Sequence, residues 1–377
     1  MRKVVILFMM VSLFACGKHD KNENKEYLFL QKEQVRVSDM MKDYSFIPLE
    51  TTDDSLILDA TVVKISGGKI FVLDSFSPSK SLYVFQLDGK YVGKIGAVGN
   101  GPGEYIMPYN LMISEASNRL FIQDIAMNKL LAFDLATGRF VEDYAIPFYA
   151  GCVELLDEEH FIWYVNAGSR NKNDFVKHLQ ITNLKCEPIS SHIAPMNFPN
   201  RGLYNVISYF TREEGMTLFH HPFMGEYYVC SSNDSILRPA FSLKLEHHPF
   251  PTEEYITNHK DNIIKDLEAG HYIQWCNVFR NASTLLCYAG CGKEIYWGVY
   301  DIEKQTGWYI DRLRIVDDWG IGKLGRPKTV YNDYFVNTIF MEQDFSESAM
   351  LKKYVATDNA KGNPLLFLYK LTSTMGE

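Results

Sequence analysis

Positive charge is scarce in this chain of 377 residues. Its 38 Lys and Arg stand against 46 Asp and Glu, which leaves a formal net charge of −8 and a pI near 5.7. A nucleic-acid partner needs clustered Lys and Arg to neutralise phosphates, so that class is excluded. The usual marks of catalysis are missing as well. No G-x-S-x-G elbow occurs, and no serine or cysteine has a histidine at motif spacing, which removes the familiar hydrolase nucleophiles. No paired C-x-x-C pattern is present to build a zinc knuckle. The one glycine-rich stretch, GAVGNGPGEY (96–105), fails as a phosphate loop. Its last glycine, Gly103, is followed by Glu104 and Tyr105 where a nucleotide loop needs Lys and Ser or Thr, and a carboxylate there repels phosphate. The dinucleotide fingerprint fails because residue 104 is not glycine and no amphipathic helix follows. Gly99, Gly101, Pro102 and Gly103 are therefore read as a structural turn, with glycine supplying positive φ and proline fixing its own. No nucleotide is expected to bind.

The chain start carries a positive signal. Arg2 and Lys3 precede the apolar run VVILFMMVSLFA (4–15), which is too short to span a bilayer and ends on a small residue. Residues 1–15 read as a signal peptide. Leu13-Phe14-Ala15-Cys16 resembles the lipobox of bacterial lipoproteins, which implies that Cys16 carries the lipid and that the membrane partner is reached through it. The polar segment GKHDKNENKE (17–26) reads as tether, and residues 16–40 are assigned to the lipidated N-terminus and tether. The expected location is the outer membrane, at its periplasmic face or the cell surface.

Internal repetition sets the architecture of residues 41–377. IFVLDSFSPSKSLYVFQLDGKYVGKI (70–95) and LFIQDIAMNKLLAFDLATGRFVEDYAI (120–146) share one plan: an apolar strand ending in Asp, a polar turn, a second strand, a Gly-containing turn and a third strand. GVYDIEKQTGWYI (298–310) echoes it, with fainter copies at 160–169, 227–245 and 364–371. An aromatic content of 14% suits half-buried pleated surfaces. Antiparallel hairpins at this spacing point to an all-β fold, a β-propeller of four-stranded antiparallel blades, and the length admits six to eight of them. The early strand at 44–49 is expected to share a blade with the last one at 365–371. One interruption, PTEEYITNHKDNIIKDLEAG (251–270), has helical composition and predicts a single inserted helix near 252–269, with Thr252 as N-cap and Gly270 as stop.

YSFIPLETTDDSLI (44–57), the aspartate-ended strand, GKYVGKIGAVGNGPGEY (89–105), NDSILRP (233–239) and LLFLYKL (365–371) together resemble a family of six-bladed β-propeller lipoproteins of Gram-negative gut-type bacteria, similar in fold to NHL-repeat and TolB-like propellers. The resemblance implies six blades and makes the glycine-rich segment a connection between blades. It carries no catalytic residues.

Chemistry is then sought among individual side chains. Asp74 and Asp124 fall at equivalent places in successive repeats and, with Glu104 and Tyr105, are the ligand-binding candidates. Carboxylates from different blades can converge on an axial cation, and calcium is the ion such acids suit; each can equally accept hydrogen bonds from its own following turn. No cofactor or metal is otherwise expected. His220-His221 and His247-His248 are adjacent on strands and point to opposite faces, so neither pair chelates an ion. Of the six later cysteines, Cys152, Cys186 and Cys230 sit singly in strand-like runs as small hydrophobes. Cys276, Cys287 and Cys291 leave open a zinc set with His271 or a disulfide. Two functional classes follow: a non-enzymatic binding or scaffold domain for a glycan, peptide or envelope partner protein, and, as the alternative, a metal-dependent propeller hydrolase or lyase of lactonase type.

Overall fold

The computed structural model describes residues 25–165, 179–192, 210–213, 216–221, 224–232, 237–259, 262–341, 345, 348, 350–355 and 362–372. Residues 1–15, read above as a signal peptide, Cys16 and residues 233–236 of NDSILRP lie outside them.

The chain is a β-propeller. Its antiparallel hairpins gather into four-stranded units: Val62–Ser66, Lys69–Leu73, Leu82–Gln86 and Tyr91–Ile95 form unit one, and Pro108–Ser114, Arg119–Asp124, Lys129–Asp134 and Phe140–Ala145 form unit two. Unit three is Ala150–Leu155, His160–Val165, Leu179–Asn183 and Pro188–His192; unit four is Phe210–Glu213, Met216–His220, Glu226–Cys230 and Arg238–Leu245. Unit five runs through Trp275–Arg280, Thr284–Cys291, Glu294–Asp301 and Thr306–Asp311. The last unit is assembled from both ends of the chain. Thr329–Tyr331, Tyr334–Ile339 and Leu365–Leu371 are completed by Met41–Pro48, with Leu365 opposite Pro48 and Tyr369 opposite Tyr44.

The first strands of successive units neighbour one another in turn, and that of the last unit returns to that of unit one. Packing follows the same cycle. Each sheet is apolar on both faces and lays one face on each neighbour. Phe71 and Leu73 of unit one meet Leu120 and Ile122 of unit two in one core, while Val336 and Leu366 of the last unit meet Ile70 and Val72 in another. Aromatics fill these wedges: Trp163, Trp297, Tyr83, Tyr227 and Tyr369 are among the largest fully buried side chains.

Two expectations are corrected. The tether assigned to 16–40 is folded from Lys25: the strand Lys25–Gln31 lies between the outer strands of units four and five and pairs in parallel with both. Tyr27 and Phe29 are buried while Leu28 and Leu30 are exposed, the alternation of a half-buried strand, and flanking charges in KEYLFLQKE hide that pattern from a compositional reading. Val35–Arg36 then pairs with Ile315–Val316, and Val37 and Met40 are buried in a single helical turn. The single helix near 252–269 is two short ones, Glu253–Asn258 and Ile263–Glu268. The Thr252 hydroxyl accepts from the Tyr255 amide at 3.1 Å and Gly270 adopts φ +79°, so both ends stand as expected. Asn258 and His259 break the middle; His259 leaves helical geometry at φ −120°, ψ 32°. Ile256, Ile263 and Leu267 pack against units three and four.

Candidate functional site

The glycine-rich segment connects units one and two, at the outer edge of the propeller. Ala97–Val98 pairs in parallel with Glu104–Tyr105, and Gly103 has φ +76°. The Glu104 carboxylate accepts from the Gly101 amide at 2.7 Å and closes the turn on itself. Tyr105 is buried. Its hydroxyl donates to the Ile95 carbonyl (2.9 Å) and accepts from the Leu82 amide (3.2 Å), and burial pushes the phenol up to about 12. Gly103 packs against Phe140 of the outermost strand of unit two, which places Glu104 and Tyr105 away from the axis.

Asp74 and Asp124 are equivalent in structure as well as in sequence, and both are fully buried. One Asp124 oxygen accepts from the Ala126 and Met127 amides at 2.8 and 2.9 Å, and the other from Ile106 and Met107 at 2.5 and 3.2 Å. Asp74 repeats this with Ser77 on one oxygen (3.2 Å) and Leu58 and Asp59 on the other (2.9 and 3.3 Å). Each carboxylate therefore ties the turn after its own strand to the segment that leads into the first strand of its unit. Buried carboxylates satisfied in this way are positioning groups. Asp124 fixes the backbone just ahead of Tyr109, and Asp74 fixes Asp59.

Tyr109 and Asp59 open onto the end of the axis where the first strands begin. Tyr109 is the second residue of Pro108–Ser114, Asn277 the third of Trp275–Arg280, and Arg326 and Lys328 immediately precede Thr329–Tyr331. Four different units thus supply one mouth, with Cys152 of unit three also close to Tyr109. The Arg-Pro-Lys segment is held firmly. The Gly325 carbonyl accepts from the buried Asn337 side chain at 2.8 Å, and the Lys328 amide donates to Val336 at 2.7 Å. Proline keeps the preceding residue extended, and residues two apart on an extended segment project to one side; Pro327 is buried while Arg326 and Lys328 are half-buried. Arg326 reaches Asn277 Oδ1 at 3.4 Å, and Tyr109 and Tyr288 lie within its electrostatic reach. Among the described residues neither cation has a carboxylate within ion-pair distance; Asp59 is the carboxylate that acts on Lys328, from beyond it. Burial holds both groups below their ordinary values, and for Lys328 the neighbouring guanidinium adds to the shift. Burial likewise raises the Tyr109 phenol, with Arg326 opposing. Phe76, 58% exposed, stands edge-on to Tyr109 with centroids 6.3 Å apart.

Sequence reasoning missed this group because its members are scattered from residue 59 to residue 328 and share no spacing. The only local signal is a pair of cations flanking a proline just before a strand.

The remaining candidates do not join it. Cys291 donates to the Gly270 and Tyr272 carbonyls at 3.2 Å each, and His271 is exposed beside Asp266, so the zinc set is not assembled. Among the described residues no three His, Cys, Asp or Glu side chains come together to hold an ion. All six described cysteines are buried free thiols; the Cys276 and Cys287 sulfurs lie 3.3 Å apart on adjacent strands. Cys186 sits in a turn at φ +63° instead of a strand. His220 and His221 are buried, and His247 is exposed beside Glu246.

Residues 24–371 match the family described as a domain of unknown function, DUF4934. The chain belongs to that family. The DUF4934 fold recurs in a crystal structure of a protein from Bacteroides fragilis described as exported, at 21% identity and a TM-score of 0.82, over 92% of this chain and all of that one. A member of the DUF4221 family from Bacteroides vulgatus is similar at 10% identity and a TM-score of 0.55, over 91% of this chain and all of that one. No functionally curated protein matches the DUF4934 chain. No helix among its described residues is long and apolar enough to cross a membrane.

Proposed function

We propose that this protein is a cell-envelope lipoprotein whose six-bladed propeller is a binding or scaffold domain for a glycan, a peptide or a partner protein, held at the axial mouth lined by Tyr109, Asn277, Arg326 and Lys328. The observation that carries this reading is convergence: side chains from units one, two, five and the last unit meet at one end of the axis, on segments clamped by buried Asp74 and Asp124. Sites built on rigid elements at the mouth of a closed sheet assembly suit ligand capture. The run 4–15 and Leu13-Phe14-Ala15-Cys16 support anchoring through a lipid on Cys16, in the outer membrane with the propeller at its periplasmic face or the cell surface. Residues 17–24 then span about 25 Å when extended, enough to stand the propeller off the bilayer.

A thermal-shift panel of glycans and peptides on detergent-solubilised full-length protein tests the binding role. A ligand that raises Tm for the native chain and not for Tyr109→Ala/Asn277→Ala supports it; ligands that stabilise both chains equally would place binding elsewhere. Anchoring is tested separately: Cys16→Ser should move the protein from the detergent phase to the aqueous phase in a partitioning experiment, and undiminished retention would remove the lipid anchor.

A further inference from the structure

We infer that the axial mouth receives a carboxylate-bearing saccharide, its carboxylate seated between Arg326 and Lys328 and its ring against the Phe76–Tyr109 pair. The inference rests on the binding role proposed above and names the ligand's chemistry.

The charge of the site points first to an anion. The whole chain is net negative, yet here two half-buried cations lie side by side without an ion-pair partner among the described residues. Burial and the neighbouring guanidinium both disfavour the charged ammonium of Lys328, and an incoming anion relieves that cost. The shape of the site points to the kind of anion. Arg326 and Lys328 stand on one rigid segment and offer a guanidinium fork and an ammonium to the same compact anion. A planar guanidinium also matches a carboxylate in two parallel hydrogen bonds.

The neutral groups point to the rest of the ligand. Asn277 accepts from Arg326, Tyr288 accepts from Arg312, and the Tyr109 hydroxyl can donate or accept; polar groups of this kind at the mouth fit an array of ligand hydroxyls. Phe76 presents an exposed ring beside Tyr109, and Tyr149, 71% exposed just before Ala150–Leu155, adds a second exposed aromatic near the entry of unit three. Flat apolar rings beside polar hydrogen-bonding groups suit the C–H face of a sugar.

Calorimetric titration of full-length protein in detergent tests the assignment with four probes: trigalacturonate, its methyl ester, neutral cellotriose and triglutamate. Trigalacturonate should bind, with the ester and cellotriose about tenfold weaker or worse, since the ester keeps the ring and removes the charge. Arg326→Gln and Lys328→Gln should each cost about tenfold for the acid, and affinity should fall as salt rises. Because these substitutions remove unpaired desolvated charge, neither should lower Tm; a clear drop would make the cations structural and overturn the inference. Phe76→Ala should weaken the acid without altering its preference over the ester. Equal binding of acid and ester, or of cellotriose, would overturn the carboxylate while leaving a glycan-binding role intact. Triglutamate binding as tightly through the same two residues would overturn the saccharide in favour of an acidic peptide. Failure of all four alongside binding of another panel member would overturn this inference alone; failure of the whole panel would remove the binding role with it.

Discussion

Gly103 combines two constraints that glycine alone meets: φ +76°, and a position where an added Cβ would stand 2.9 Å from the Phe140 Cβ. Gly103→Ala should therefore cost about 1 to 3 kcal/mol and lower Tm by several degrees. Gly101 lacks positive φ, and its added Cβ would meet only the Glu104 carboxylate at 3.1 Å, so Gly101→Ala should fall within about 1 kcal/mol of the native chain. Melting curves of the two variants separate backbone strain from mere glycine content. Lys328 makes a prediction in pH. Its folded value lies below that of the unfolded chain, so charging it opposes folding. The penalty is complete at pH below the depressed value and disappears as pH rises through it towards the ordinary lysine range. Lys328→Met should melt above the native chain at pH 7, and the gap should narrow by pH 10. A gap that widens with pH would contradict the sign.

At the scale of elements, the strand Lys25–Gln31 is the least expected part of the molecule. It seals the outer edges of units four and five together, and Phe29 enters the core between them, seated over Gly298, where an added Cβ would lie 2.9 Å from its ring. Unpaired edges invite association, so this strand both packs and protects. Phe29→Ala should cost about 3 to 5 kcal/mol, whereas Leu28→Ala, 41% exposed, should change stability by less than about 0.5 kcal/mol. Denaturant titration of both reads the difference, and similar costs would mean that the strand does not face the core as described. The two helices between units four and five show the opposite balance. Their capping residue and stop were legible, since Thr252 and Gly270 act locally, but the break at His259 was not, because poor central propensity counts only when packing does not rescue it.

For the whole molecule, closure is the decisive feature. Met41–Pro48 pairs with Leu365–Leu371 along its length, so the ring is fastened by strands more than 300 positions apart. A propeller opened at this seam exposes two strand edges and the core containing Leu366 and Leu368. Deletion of residues 364–377 should abolish cooperative melting and drive aggregation in light scattering; a soluble truncation with a single sharp transition would show that the seam is dispensable.

The sequence by itself determined the strand-turn-strand repeat, the architecture and the closing pair, because alternating apolar residues, turn residues and Asp at strand ends act over short range. It also placed Asp74 and Asp124 at equivalent positions, but left open whether they meet a cation or their own turns. Tertiary structure decided that, by bringing backbone amides from a preceding segment onto the free oxygen of each. Tertiary structure alone drew Asp59, Tyr109, Asn277, Arg326 and Lys328 to one end of the axis, since a mouth made by several units is written in no single repeat. Ring closure sets those neighbours, and it does so through contacts between residues that share no local pattern.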